Sequence, residues 1–316
     1  MTDSHTTRGD MTTAAIIGTG TMGPGMAATL ARGGLDVRCF DTSAAARERV
    51  PGEADLARSV LDRIGGTAAA QPGTVTVHSD LAEAVDGADL VIEAVPENAE
   101  IKAAVFADLD RLAPAGAILA SNTSGIPITR IQQSVADPGR VVGMHWSNPP
   151  HVIPVIEVIA GEHTDPEVVE RLRTVISELG LIPVRVLRDV PGFVENRVLY
   201  AIMRECLALV DSGVVSAEEL DTCVQWGIGF KLAVIPPLQL LDVAGLDIYQ
   251  AVAGYLNADL DDRKDVSETI TSRAARGELG MKTGSGLFSY TPEQAQALRQ
   301  RRAAGLVAVR KALSGP

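Results

Sequence analysis

The chain has 316 residues, 46% of them hydrophobic and 22% charged, with a formal net charge of −12. That length allows two domains, and the acidic balance argues against nucleic acid or an anionic membrane as a partner. Aromatic residues make up only 3%, so the core is expected to rest on Ala, Val, Leu and Ile. Cys39, Cys206 and Cys223 are scattered and show no C-x-x-C spacing. This points to a reducing cytoplasm and away from a disulfide framework or a zinc site. No apolar run approaches the roughly 20 residues of a membrane span. Residues 1–12 are polar and lack the apolar centre of a signal peptide; they are expected to form a disordered tail, with Met11 a candidate start and His5 a bystander.

The first apolar run, residues 14–17, leads directly into Gly18-Thr-Gly20-Thr21-Met22-Gly23, and residues 26–31 read as a helix closed by Gly33-Gly34. Strand, glycine turn and helix form the dinucleotide fingerprint. Gly18 permits the tight turn, Gly20 lets backbone approach a pyrophosphate, and Gly23 allows the helix to pack closely on the strand. The helix N-terminus then offers unpaired N–H donors to the phosphates. A second run, 35–40, ends at Asp41, 18 residues beyond Gly23 and near the roughly 20 expected for the acid that binds the adenosine ribose. Asp41 would repel a 2′-phosphate, and Thr42 and Ser43 follow it with no immediate arginine, so NAD is the expected cofactor.

Alternation continues: helix 51–64, strand 74–78, helix 81–85, strand 89–95, helix 98–112, strand 117–120, helix 129–135. Strands separated by helices make a parallel sheet covered on both faces, whose ligands bind beyond the carboxyl ends of the strands. Glu97, the stretch from Ser121 to Ser124, and His145 all fall at such ends. Two further runs, 141–146 and 155–159, flank a loop carrying Pro149, Pro150 and Pro154. Proline punctuates strands, so the reading is strand, tight loop, returning strand. That brings Glu157 opposite His145, and a carboxylate-oriented histidine is a general base for neutral pH.

Helix 166–179 and strand 182–187 complete this region. Residues 189–192, Asp-Val-Pro-Gly, break the pattern, and the boundary is drawn there: an NAD-binding Rossmann domain over 13–189 and a helical domain over 190–316. The latter reads as helices 193–212, 218–227 with Ser216 as N-cap, 236–243, 248–256, 266–276 and 293–313, with a glycine-rich loop at 280–286. Leu199, Ile202, Cys206 and Leu209 give the first of these an apolar face, which predicts a homodimer. The fold class is thus α/β, a Rossmann-type doubly wound sheet followed by an all-α C-terminal domain that contributes to the substrate cleft and to dimerisation.

The runs IIGTGTMG, ADLVIEAVPEN, ASNTSG, GMHWSNPP…VIEVI, DVPGFVENR and GMKTGSGLFSY, taken in this order, resemble the L-3-hydroxyacyl-CoA dehydrogenase superfamily from Ala14 to about Tyr290. The resemblance implies an NAD-dependent dehydrogenase. It implies His145 as general base and Glu157 as the carboxylate that orients it. Ser124 would be a hydroxyl contacting substrate and cofactor, and Asn196 the amide holding the reacting oxygen. Glu97, Lys102, Asn148 and Lys282 would line the nicotinamide end. Each also has a plainer reading: a turn cap for Ser124, a helix cap for Asn196, solvated surface charges for Lys102 and Lys282.

The chain departs from the members that act on coenzyme A esters, which carry a lysine-rich stretch between the second and third strands. Here residues 42–74 hold Arg47, Arg49, Arg58 and Arg63 but no lysine, and Glu48, Glu53, Asp55 and Asp62 offset them. The Pro-Pro-His loop is more similar to branches handling small free carboxylates, including gulonate and carnitine dehydrogenases and lambda-crystallin. GMHWSNPPH, DVPGFVENRVLYA, LDTCVQWGIG and LLDVAGLDIY resemble a branch that oxidises a pyridine aldehyde acid; there Trp146 and Trp226 would wall an aromatic substrate, the plainer reading being that they are core. The substrate expected is a small carboxylate-bearing molecule, a 3-hydroxy acid or pyridine aldehyde acid. A coenzyme A ester enzyme and a non-enzymatic, crystallin-like NAD-binding protein are the alternatives.

Overall fold

The computed structural model describes residues 11–314. Up to residue 197 the apolar runs become β1 (Thr13–Ile17), β2 (Asp36–Phe40), β3 (Val75–His78), β4 (Leu90–Glu93), β5 (Ile118–Ser121), β6 (Val141–Trp146), β7 (Val155–Ala160) and β8 (Ile182–Val186). They form one sheet in the order β3-β2-β1-β4-β5-β6-β7-β8. Every neighbouring pair is parallel except β6 and β7, which are antiparallel. The connections are α1 (Gly23–Arg32), α2 (Ala44–Ile64), α3 (Leu81–Val85), α4 (Ala99–Leu112), α5 (Ile128–Gln132) and α6 (Pro166–Glu178).

Because the sheet is covered on both faces, its central strands are mostly apolar runs rather than alternating, with Glu93, Ser121, His145 and Glu157 the buried exceptions on β4 to β7. On β1, Ala14 and Ile16 enter one core with Met26 and Leu30 of α1 and Leu172 and Ile176 of α6. Ala15 and Ile17 enter the other, with Phe106 and Leu109 of α4, Ile128 of α5 and Phe193. Successive side chains point to opposite faces, and each Leu, Ile or Phe so buried contributes about 1.5–3 kcal/mol.

Three expectations change. Met11, assigned to a disordered tail, is 4% exposed and packs in the first core, and Thr12 donates its N–H to Asp89 Oδ2 at 2.7 Å. His5 lies outside the described residues. The helix expected over 51–64 begins at Ala44 instead, with Ser43 Oγ accepting from the Ala46 N–H as N-cap. Pro51 therefore sits inside α2, where it removes one intrahelical bond without ending the helix. The strand expected over 89–95 ends at Glu93, two residues earlier, because the Glu93 carboxylate turns back to accept the Val95 N–H at 2.7 Å.

The chain divides into two compact units, Met1–Arg197 and Val198–Pro316, with α7 (Glu195–Asp211) beginning in the first and running into the second. The second unit is helical: Ala217–Cys223, Pro237–Ala244, Leu246–Leu256, Glu268–Ala275 and Pro292–Ser314. Ser216 caps the first of these through the Glu219 N–H. That helix is shorter than expected, giving way at Val224–Gly229 to wider turns around two glycines. Among the described residues of this unit only Ser267 and Ala295 are buried. Among these residues no single helix is long and apolar enough to cross a membrane.

Candidate active site

The nucleotide end is built where β1 meets α1. Gly18 has φ +102°, and a Cβ there would stand 2.6 Å from the Ala94 carbonyl oxygen. A Cβ on Gly23 would stand 2.7 Å from the Gly18 carbonyl oxygen, so both positions exclude any side chain. Gly20 has open space around it, and Thr21 beside it is exposed. Met22 holds the N-cap position with no side-chain hydrogen bond, and the first turn of α1 carries no acid. An uncapped helix N-terminus without a carboxylate is a pyrophosphate site in its chemistry, so the residues present fit a dinucleotide. At the end of β2, Asp41 accepts the Thr19 N–H at 2.7 Å and the Ser43 N–H at 2.8 Å. Arg47, from the first turns of α2, reaches the Asp41 carbonyl at 2.5 Å, a neighbour that sequence spacing did not reveal.

Beyond the ends of β4 and β5 lies a chain of charges. Glu93 and Lys102 are fully buried and 2.7 Å apart, and Ser121 Oγ donates to the second oxygen of Glu93 at 2.7 Å. Burial pushes the Glu93 carboxyl up, against the opposing pull of the Lys102 ammonium and its other donors. Lys102 also lies 3.4 Å from Glu97. Glu97 in turn accepts from the Thr123 hydroxyl at 2.6 Å and from the Ser124 and Gly125 N–H groups at 3.0 and 3.2 Å. Its burial raises the carboxyl, but the Thr123 hydroxyl, Lys102 and the Ser124 N–H together hold it below the usual range. Glu97 thus clamps the loop after β5 that presents Ser124. The Ser124 carbonyl accepts from Asn196 Nδ2 at 2.9 Å, tying this loop to the first turn of α7.

His145 and Glu157 face each other across the antiparallel β6–β7 pair, as the proline-interrupted runs predict. The Nδ1–Oε2 distance is 2.7 Å, and the two residues are 6% and 2% exposed. A carboxylate only accepts, so Nδ1 carries the proton and Nε2 presents its lone pair. The other Glu157 oxygen accepts the Val194 and Glu195 N–H groups at 2.8 and 3.2 Å, two of the donors that a helix leaves unpaired at its start. One carboxylate therefore orients the histidine and caps α7. Phe193 completes the setting: its ring lies 5.9 Å from the imidazole, and it is 1% exposed. Its φ of +46° is rare for a bulky residue and is held by its surroundings. Glu195, the first residue of α7, accepts from the Ser147 hydroxyl. One donor atom from each of His145, Glu157 and Glu195 lies within 4.8 Å of the others.

Burial raises the Glu157 carboxyl, yet the His145 bond and the two N–H donors outweigh it and hold the group below its ordinary 4.5. A depressed folded pKa contributes stability that is present above the ordinary value and lost as pH falls through the folded one. The melting temperature of the wild type should therefore exceed that of Glu157→Gln by a constant margin near neutrality, and the margin should close as pH drops below about 4.5. A margin that stays constant through that range would show that Glu157 does not supply this linkage.

Models of the 3-hydroxyacyl-CoA dehydrogenase family match both units: its NAD binding domain over residues 13–190 and its C-terminal domain over 192–290. The chain belongs to the 3-hydroxyacyl-CoA dehydrogenase family. Like other members it is an NAD-dependent oxidoreductase. It is 56% identical over 302 residues to the 5-formyl-3-hydroxy-2-methylpyridine 4-carboxylate 5-dehydrogenase of Mesorhizobium japonicum, covering 95% of this chain and 98% of that one. It is 37% identical over 236 residues to the L-carnitine dehydrogenase of Streptomyces griseus, covering 75% and 70% of the two chains. A crystal structure of a 5-formyl-3-hydroxy-2-methylpyridine 4-carboxylic acid 5-dehydrogenase, described as an NAD+-dependent dismutase, superposes with a TM-score of 0.94 at 55% identity, covering 96% of this chain and 99% of that one.

In this family member the first unit brings together His145, Glu157, Ser124, Asn196, Glu97 and Lys102. Asn148 is exposed at the start of the loop over 147–154. That loop sits on the first turn of α1, where a Cβ on Gly25 would meet Pro150 at 2.8 Å and His151 at 2.9 Å. Lys282 is exposed in a turn of the second unit. Lys102 is no solvated surface charge; its ammonium is buried against Glu93. Trp146 does not present a wall for substrate, being 2% exposed within the core, and Trp226 is 63% exposed in the second unit. Glu93, Phe193 and Glu195 escaped the sequence reading, and Thr123 was covered only as part of the stretch from Ser121 to Ser124. An acid closing an otherwise apolar strand was the available signal for Glu93; Glu195 looked like an ordinary first-turn helix acid.

Proposed function

We propose that this protein is an NAD-dependent dehydrogenase of a small carboxylate-bearing aldehyde, of the 5-formyl-3-hydroxy-2-methylpyridine-4-carboxylate kind. The observation that carries this reading is end-to-end identity of 56% to such an enzyme, joined to a buried His145–Glu157 pair at a strand end. NAD, when bound, supplies the hydride acceptor. His145 Nε2 takes a proton from the hydroxyl of the hydrated aldehyde, and Glu157 keeps the imidazole in the required tautomer and stabilises the imidazolium. Asn196 and Ser124 hold the reacting oxygen, with Asn196 steadied by its bond to the Ser124 loop. Gly18, Gly20, Thr21, Met22 and Gly23 cradle the pyrophosphate, and Asp41 accepts from the ribose hydroxyls. Glu97, Lys102 and Asn148 serve the nicotinamide end, Lys102 by fixing Glu97. With NADH as hydride donor, a second aldehyde would be reduced to its alcohol, His145 giving one proton to the aldehyde oxygen, which makes dismutation of two aldehydes available to the same residues.

A coenzyme A ester fits less well. A polyanion calls for free, concentrated positive charge. Here Arg49 pairs with Glu53 and Arg58 with Asp55, while Arg47 and Arg63 reach the backbone carbonyls of Asp41 and Ser59. The chain is read as cytoplasmic, and as a homodimer formed through its helical unit. Leu238, Val234, Val243 and Trp226 are 76%, 74%, 71% and 63% exposed there, which supports this reading, since burying such side chains against a second copy would be favourable. The test is a spectrophotometric screen: NADH should appear with the pyridine aldehyde acid and NAD, and acetoacetyl-CoA should leave NADH untouched. Oxidation of NADH by acetoacetyl-CoA, with the aldehyde acid inert, would overturn the reading.

A further inference from the structure

Oxidising an alcohol to a carbonyl releases one proton, whereas oxidising a hydrated aldehyde to a carboxylate releases two. His145 has room for only one, since its Nδ1 proton is already committed to Glu157 at 2.7 Å. Glu157 has no spare capacity either: it is buried, and its oxygens already receive the imidazole and two backbone N–H groups. A second carboxylate stands beside this pair. Glu195 lies within 4.8 Å of both, is exposed to water where they are buried, and is held by the hydroxyl of the buried Ser147.

We propose that Glu195 is the acceptor for the second proton of aldehyde oxidation and its route to solvent. This rests on the aldehyde reading above and deepens it. In the step, the C–H bond of the hydrate breaks and its electron pair leaves with hydrogen as hydride for NAD. Two O–H bonds break as well: one proton goes to His145 Nε2 and the other to the Glu195 carboxylate. The carboxylate product forms, and Glu195 passes its proton to bulk water. Drawing charge onto the second oxygen also assists hydride departure. In the reduction of the aldehyde by NADH, the oxygen takes one proton from His145 and Glu195 has no part.

A first-turn acid also suits the positive end of a helix, but that role would affect both directions of catalysis alike. The directional comparison therefore separates the two. With one pyridine aldehyde acid, kcat is measured for oxidation with NAD and for reduction with NADH, and NAD binding is measured by calorimetry. Glu195→Gln should lower the ratio of oxidation to reduction by at least about tenfold, within reach of a single acid–base contribution, with NAD affinity retained. Glu195→Asp should recover part of the ratio, and Ser147→Ala should shift it in the same direction by less. An unchanged ratio in Glu195→Gln, with an active wild type, overturns the assignment of Glu195 alone. A wild type inert toward the aldehyde in both directions overturns the aldehyde reading and this step with it.

Discussion

Replacing His145 with glutamine should lower kcat by about 10²–10⁴-fold, the usual size of an acid–base contribution, while leaving NAD affinity within about twofold of wild type. The substitution keeps a polar side chain of similar reach, so Glu157 retains a donor in place of Nδ1–H. Glu157 also keeps the Val194 and Glu195 N–H groups, so the start of α7 should stay capped. What is lost is the Nε2 lone pair, and with it proton removal as hydride leaves. The nucleotide end stands on β1, α1 and Asp41, none of which contacts His145 through the hydrogen bonds described. Steady-state kinetics with NAD titrations checks this, and a near-normal kcat would remove His145 from the role of base.

Much of the first unit was legible because its signals are local. Gly18, Gly20 and Gly23 are spaced by the geometry of one turn, and Asp41 follows at the distance one helix and one strand require. The His145–Glu157 contact was legible for a similar reason: two apolar runs around a proline loop have few alternatives to an antiparallel return, and the register then sets the pair. What escaped depends on side chains converging from separate elements. Lys102 reads on α4 as one more helix cation, and only the fold shows that it points inward to Glu93. Trp146 had two readings, substrate wall or core; β6 has six consecutive buried residues, and period-two reasoning does not say which face a doubly covered strand shows to the site. Phe193 gave no warning of its positive φ, which favours glycine and arises from the neighbours that hold it. The second unit was legible as helices and as apolar faces, because those are periodic. That so few of its described residues are buried was not, since burial depends on what the helices pack against.

The buried Glu93–Lys102 pair carries the second large expectation. Lys102→Met should destabilise the protein by about 3–5 kcal/mol, the cost of leaving one buried charge without its partner. Against a total stability of about 5–15 kcal/mol that is a large fraction. The carboxylate would keep only the Val95 N–H and the Ser121 hydroxyl, neither of which supplies a compensating charge. Burial already pushes the Glu93 carboxyl up with the ammonium present, and removing the ammonium pushes it further. An acid whose folded pKa is raised loses stability as pH rises from its unfolded value toward its folded one. The penalty in Lys102→Met should therefore be greatest at neutral and higher pH and should shrink as pH falls toward 4.5. The neutral double variant Glu93→Gln with Lys102→Met should recover part of the loss, because the amide oxygen can still accept from the Val95 N–H while its NH2 donates to the Ser121 hydroxyl oxygen, with no buried charge. Glu97 loses its cation in both variants, so the KM for NAD should rise in both even where stability returns. Denaturant unfolding of the two variants at several pH values measures the stability terms. A loss below about 1 kcal/mol at neutral pH would mean that the surroundings, not Lys102, hold Glu93 in place.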